Sequence, residues 1–174
     1  MALRTVQRLC QVAIAMQATV IALTPAVGQE TESVRMDLSG AAGPSPYDLS
    51  GTGTGFAAGV WLGYPVRPFL LAEAGVGYFR YTTQGNSDVS YLLPEVGIRV
   101  GAPLGQVFPY FGGGAGFASV TTGGAGTDLT LHVALGIRAW ISRRVGLRGE
   151  GRLRSIDPWA GNMVDLTGGV LIRL

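Results

Sequence analysis

Eight ionisable side chains, spread over five segments of the chain, are the residues most able to do chemistry. They carry both signs: Glu73, Glu95, Arg99, Arg138, Arg148, Glu150, Arg152 and Asp165. Enclosed together, carboxylates and guanidinium groups neutralise one another. Left open to water, the patch of one acid among three bases on a single face would instead line a path for anions: Arg148, Glu150, Arg152 and Arg154. We favour the paired arrangement and predict a lumen charge network, because the interior to which we assign these residues is narrow.

Catalytic and ligand-binding motifs are weak. His132 is the only histidine, and the segment Leu131–Ala134 offers it no neighbouring serine, so we predict an interior histidine and not a general base. The run Gly112–Gly116 lacks the lysine and hydroxyl residue of a phosphate-binding loop. Asp157 and Asp165 are too sparse for a calcium loop, and no Cys/His cluster exists for zinc or iron. We predict no enzyme, no cofactor and no metal.

Composition indicates one domain and argues against nucleic-acid binding. The chain has 174 residues, of which 47% are hydrophobic, 14% are charged and 28 are glycine. All 13 basic residues are arginine, and removing Arg4 and Arg8 with a leader leaves 11 against 11 acids. Such a chain has no net positive field for a polyanion. The single cysteine, Cys10, also lies in the leader, so the remaining chain has no thiol chemistry.

Residues 1–28 have the three parts of a secretory signal peptide. Arg4 and Arg8 precede an apolar stretch, Leu9–Leu23, and small residues follow at 26–28. The alternative is a membrane anchor, but the stretch is short for a bilayer, which needs about 20 residues. We predict cleavage after Gly28, leaving residues 29–174 as one barrel domain.

The rest of the chain alternates apolar and other residues with the two-residue period of β-strands, and no segment shows a helical period. The longest alternating run covers residues 128–141, with His132 and Arg138 on its mixed face. Similar runs cover residues 34–39, 56–62, 70–79, 91–100, 145–154 and 163–174. Phe108–Thr121 is assigned as a strand from its length and position. We predict an all-β fold of eight antiparallel strands.

Short and longer links alternate between these strands along the chain. The short ones are Gly63-Tyr64-Pro65, Ala102–Gln106 and Ser142–Arg144. The longer, mostly more polar ones are Ala42–Thr52, Thr82–Asp88, Thr121–Thr127 and Asp157–Asn162. An up-and-down arrangement places the short links at one end and the longer links at the other.

Strand length and the mixed face favour a membrane-spanning barrel. Strands cross a bilayer only as a closed barrel, with about 9–11 residues each. A mixed face of glycine, alanine and charges of both signs suits a narrow eight-stranded interior. Aromatic residues near strand ends are candidates for interfacial girdles, with turn packing as the alternative: Tyr64, Phe69, Tyr78, Phe79, Tyr91, Phe108, Tyr110, Trp140 and Trp159.

With its leader and eight alternating strands, the chain resembles the small outer-membrane barrels of the OmpA/OmpX type and the related outer-membrane protein beta-barrel domain group, over about residues 33–174. Its end, Thr167–Leu174, resembles the C-terminal signal read by the barrel-assembly machinery, although family members usually end in phenylalanine or tryptophan and this chain ends in Leu174. The resemblance implies a bacterial outer-membrane location. It also implies contacts with outer-membrane lipid, including lipopolysaccharide, and with the assembly machinery. The external partner is not indicated.

Three functions remain open from the sequence. The leading one is a non-enzymatic structural or surface-interaction role in the outer membrane. The second is a narrow, porin-like pore for small solutes. The third is a soluble periplasmic lipid-binding barrel, in which the apolar face would point inward.

Overall fold

The computed structural model describes residues 35–46, 54–82, 88–122, 126–156 and 161–174. The predicted leader lies outside these residues. The strands are β1 (Asp37–Pro46), β2 (Thr54–Arg67), β3 (Leu70–Thr82), β4 (Asp88–Gly101), β5 (Val107–Thr122), β6 (Thr127–Trp140), β7 (Val145–Ile156) and β8 (Gly161–Arg173). Each strand pairs antiparallel with its sequence neighbours, and β1 pairs with β8 to close the barrel. The predicted eight-stranded up-and-down barrel is confirmed.

The apolar face of each strand points out of the barrel. In β6, Leu131 and Val133 are exposed while His132 and Ala134 are buried in the lumen. The same alternation holds on β7, where Leu153 is exposed between buried arginines. Since successive side chains of a strand point to opposite faces, the register of the closed sheet fixes this facing for the whole barrel.

Two predicted link boundaries are wrong. Gly63-Tyr64-Pro65 lies inside β2, and the chain reverses instead at Pro68 and Phe69. Pro65 is accommodated because the register between β2 and β3 shifts there, and proline is tolerated at such a bulge. Ala42–Pro46, predicted as part of a link, belongs to β1. Beyond Ala42, β1 pairs with β2 alone, so its prolines lie on an edge without a second partner strand.

The barrel has two distinct ends. At the short-link end, residues 68–69, 102–106 and 141–144 connect the strands. In the second of these links Gly105 has φ of 64°, a left-handed conformation that glycine adopts without strain, and Leu104 and Val107 pair across it. The long-link end carries the other four connections. In the part of the chain described, no helix is long and apolar enough to cross a membrane.

Candidate functional site

The lumen holds all eight charged residues predicted from the sequence. Each of them is at most 5% exposed. It also holds Arg154, which the sequence places on one face with Arg148, Glu150 and Arg152. The structure adds Asp37, which the same alternation could have found because it precedes outward Leu38. Among the described residues, the buried charges are therefore five carboxylates and five arginines, which we call the charge layer.

Glu150 on β7 is the centre of the charge layer. One of its carboxylate oxygens accepts hydrogen bonds from Arg148 at 2.8 Å and from the hydroxyl of Tyr110 at 2.7 Å. The other accepts from Arg152 at 2.9 Å and 2.5 Å. Arg99 approaches the same carboxylate at 3.5 Å. Three guanidinium groups thus surround one acid, an arrangement that requires further acids nearby for neutrality.

Glu95 on β4 is the second acid that joins several partners. It accepts a 2.7 Å hydrogen bond from Arg154 and another, from Arg152, on its other oxygen. The indole N–H of Trp61 also donates to it at 2.7 Å. The guanidinium groups of Arg148 and Arg152 each lie 5.1 Å from the centre of the Trp61 ring. Sequence analysis missed Trp61, although its place between outward Val60 and Leu62 indicates that it faces the lumen.

Toward the short-link end, two further acids complete the pairing. Glu73 bonds to Arg148 through both oxygens, at 2.8 Å and 3.1 Å, and also pairs with Arg99 at 3.1 Å. Asp37 forms a two-fold pair with Arg138, at 2.5 Å and 3.1 Å. Such bidentate pairs fix geometry as well as charge.

Toward the long-link end, the network finishes at Asp165. Arg154 approaches it at 3.5 Å, and the hydroxyl of Ser45 donates to it at 2.6 Å. A cavity of about 20 Å³ borders Trp61, Arg154 and Asp165. That volume holds about one water molecule, so it has no room for a substrate or a lipid chain.

Inward glycines make room for these large side chains. A Cβ atom added to Gly59 or Gly75 would lie 2.7 Å from an atom of the Trp61 ring. In the glycine run of β5, a Cβ on Gly114 would lie 2.7 Å from His132, and one on Gly116 2.8 Å from Glu95. The run therefore serves close packing across a narrow lumen, as its strand-like surroundings indicated, and not phosphate binding.

Next to the charge layer, toward the long-link end, lies an apolar layer. It consists of Ala57, Phe79, Tyr81, Leu93, Ala118 and Met163. The ring centroids of Phe79 and Tyr81 are 5.6 Å apart, and Tyr91 stacks on Tyr81 at 6.2 Å. At the short-link end, the guanidinium group of Arg173 lies over the Trp140 ring, 4.2 Å from the ring centre. The charge layer thus lies between two layers containing aromatic rings.

The predicted aromatic girdles are only partly present. Tyr64, Phe69 and Tyr78 are exposed on the outer surface. Phe79 and Tyr110 are instead buried in the lumen, at 0% and 3% exposure, because their positions in the alternation are inward. Tyr91, Phe108 and Trp140 are half-buried at inward positions, and Trp159 lies outside the described residues.

His132 is buried in the lumen, where it is 5% exposed. Neither of its ring nitrogens has a hydrogen-bond partner, and the carboxylate of Glu95 lies 3.7 Å from its Nδ1. Within the described residues, no group of three or more histidine, cysteine or acidic side chains is arranged to hold a metal ion. Within the described lumen, the charged side chains neutralise and hold one another.

Comparison with known proteins gives a family and a fold. A family model described as "Outer membrane protein beta-barrel domain" matches residues 12–169. Neisserial surface protein A is 20% identical and covers 80% of this chain and 96% of its own, with a TM-score of 0.59. The N-terminal barrel domain of Pseudomonas aeruginosa OprF is 12% identical, covering 80% and 97%, with a TM-score of 0.54. A major outer membrane protein of Thermus thermophilus is 15% identical, covering 82% and 100%, with a TM-score of 0.53.

At these identities, the three structures show the shared fold and nothing about activity. Among curated proteins, none matches the chain significantly.

Proposed function

The chain belongs to the outer-membrane protein beta-barrel domain family, and from this premise we propose that it acts without catalysis, as a closed barrel with a structural or surface-interaction role in the bacterial outer membrane. The observation that carries the proposal is the lumen. Five arginines and five acids form ion pairs across it, and a cavity beside Trp61 has the volume of about one water molecule. The parts of the protein available to partners are then its outer surface and its links.

The outward apolar face supports this role over a soluble lipid carrier. Val96, Leu135 and Ile141 are each more than 60% exposed on the outside of the barrel. Side chains of this kind need a hydrocarbon environment, whereas a soluble carrier would need them around an internal cavity. Outer-membrane lipid, lipopolysaccharide and, during insertion, the barrel-assembly machinery are accordingly the proposed contacts.

A narrow pore is the competing function. Arg148 and Arg152 would have to be freed from Glu150, Glu73 and Glu95 before an anion could pass them. The aromatic rings on both sides of the charge layer oppose passage as well. We therefore expect no steady conductance.

Cell fractionation, followed by gel mobility with and without boiling, tests the proposed location. We expect a band in the outer-membrane fraction that migrates differently when unboiled, because the closed barrel resists unfolding by detergent. A band that appears in the soluble fraction and does not shift would overturn the proposal.

Planar-bilayer recording on the full chain separates the closed barrel from the pore. The closed barrel predicts no reproducible open steps. Steps that disappear in the double variant Arg148→Gln/Arg152→Gln, while the heat shift on gels persists, would replace the structural role with a pore.

A further inference from the structure

The seam between β1 and β8, which closes the barrel, is paired over only part of its height. From the short-link end, the backbone ladder between the two strands runs as far as Ala42 and Gly168. Both strands continue beyond these residues toward the long-link end, β1 paired with β2 and β8 paired with β7. We call the part without a ladder, residues 43–46 of β1 and 161–167 of β8, the loose seam.

Two prolines explain why the ladder stops. The carbonyls of Val164 and Leu166 point toward β1, since the first accepts a hydrogen bond from it and the second would collide with a Cβ added to Gly43. By the register of the paired part, Pro44 lies opposite Leu166 and Pro46 opposite Val164. Proline has no N–H, so neither carbonyl receives the donor that an antiparallel ladder supplies at these positions.

A serine side chain holds the loose seam from inside the barrel. The buried hydroxyl of Ser45 donates to the carboxylate of Asp165 at 2.6 Å and lies 3.2 Å from the carbonyl oxygen of Val164. A hydroxyl has one proton to donate, so these two acceptors share it. The side chain of Ser45 thus replaces part of the backbone pairing that the prolines remove.

Asp165 has a second partner within reach. The Nε of Arg154 is buried without a hydrogen-bond partner and lies 3.5 Å from the other carboxylate oxygen of Asp165. A small shift of the carboxylate shortens that separation to about 2.8 Å, the usual length of an ion-paired hydrogen bond. The cavity of about 20 Å³ borders both side chains and gives the carboxylate space to turn. Asp165 can therefore release Ser45 without losing a charged partner.

We propose that the loose seam is a lateral gate in the barrel wall. The gate opens when Asp165 exchanges Ser45 for Arg154, and β1 and β8 then separate at the long-link end while their paired part stays closed. Local opening of this kind costs less free energy than global unfolding, because few backbone hydrogen bonds are broken. The ion pairs of Glu150 and Glu73 with Arg148 do not take part. Opening gives the surroundings of the barrel access to the side chains of Asp165 and Arg154.

Amide hydrogen exchange tests the gate, measured residue by residue by NMR on the full chain folded in detergent micelles. In β8, the amides of Val164 and Leu166 point toward β1, and those of Asp165 and Thr167, at the same depth, point toward β7. We expect the first two to exchange at least about tenfold faster, because the gate exposes them while the ladder to β7 persists. Equal rates for the two groups would overturn the inference, since fraying of the whole end exposes both.

Restoring the missing donors should close the gate. In the double variant Pro44→Ala/Pro46→Ala, the new N–H groups can donate to the carbonyls of Leu166 and Val164. Exchange of the amides that face β1 should then slow by about fivefold, the factor that one net hydrogen bond supplies. Ser45→Ala removes the contact with Asp165 and should speed their exchange by a similar factor.

Pro94→Ala is the matched control, because Pro94 is an exposed proline of β4, on the far side of the barrel from the loose seam. It should leave the exchange of Val164 and Leu166 unchanged. Rates that stay the same in both the double proline variant and Ser45→Ala, or that change equally in the control, would contradict the gate. Every variant is first shown to keep its heat shift on gels, so that failure of the gate is distinguished from failure to form the barrel.

Discussion

The charge layer around Glu150 and the apolar layer around Phe79 are neighbouring regions of one lumen, and β3, β4 and β8 contribute residues to both. The two layers are stabilised by different interactions. Each charged group depends on particular partners at fixed distances, and a buried charge without its partner is costly. The apolar layer depends on filled volume, and its side chains can exchange contacts without leaving any group unpaired. The comparison indicates that the lumen tolerates substitutions less well in the charge layer than in the apolar layer.

Removing one central acid should have the largest effect. Glu150→Gln keeps the size of the side chain but leaves Arg148, Arg152 and Arg99 facing a neutral group. We expect the free energy of unfolding to fall by about 3–5 kcal/mol, which is the cost of removing one partner of a buried ion pair and leaving the other charge uncompensated. Urea unfolding in lipid vesicles, followed by tryptophan fluorescence, measures it.

The control for that substitution is Asp128→Asn, which removes an exposed acid near the long-link end. A surface change of this kind should alter the free energy by less than about 0.5 kcal/mol. Equal effects of the two substitutions would show that the charge layer does not depend on its pairing.

Truncation in the apolar layer should cost less. Leu93→Ala removes buried volume, and such changes cost about 2–5 kcal/mol depending on how well the site closes. We expect a value near 2 kcal/mol, because flexible Met163 in the same layer can move into the space. The same urea unfolding experiment compares it with Glu150→Gln. A larger loss for Leu93→Ala than for Glu150→Gln would reverse the proposed contrast between the layers.

A single methyl group facing the lumen tests the narrowness that both layers share. Gly75→Ala would place its Cβ against the Trp61 ring and the Val60 carbonyl. Overpacking of this kind costs about 1–3 kcal/mol, and we expect about 1 kcal/mol if the ring can shift. Gly168→Ala is the control, since a Cβ there has no neighbour within 4 Å. Thermal unfolding of both variants should separate them, and equal midpoints would argue against a tightly filled lumen.

Alternation was enough to predict most of the fold. The two-residue period divided the residues of β3, β4, β6, β7 and β8 into two faces and placed Glu95, His132 and Arg152 on the mixed one, which the composition of that face then assigned to the lumen. Where glycine and proline interrupted the apolar pattern, the prediction failed. Ala42–Pro46 and Gly63-Tyr64-Pro65 have the composition of turns, and yet they lie in strands, because neighbouring strands of the barrel pair with them.

The sequence by itself determined which side chains share a face of each strand, because successive residues of a strand point to opposite sides. Only the tertiary structure decided which charges meet. Arg148 bonds to Glu73 across 75 positions of the chain, and Trp61 reaches Glu95 from another strand. Such pairings depend on the register of strands that are not neighbours, and that register is fixed when the barrel closes and not by any local pattern.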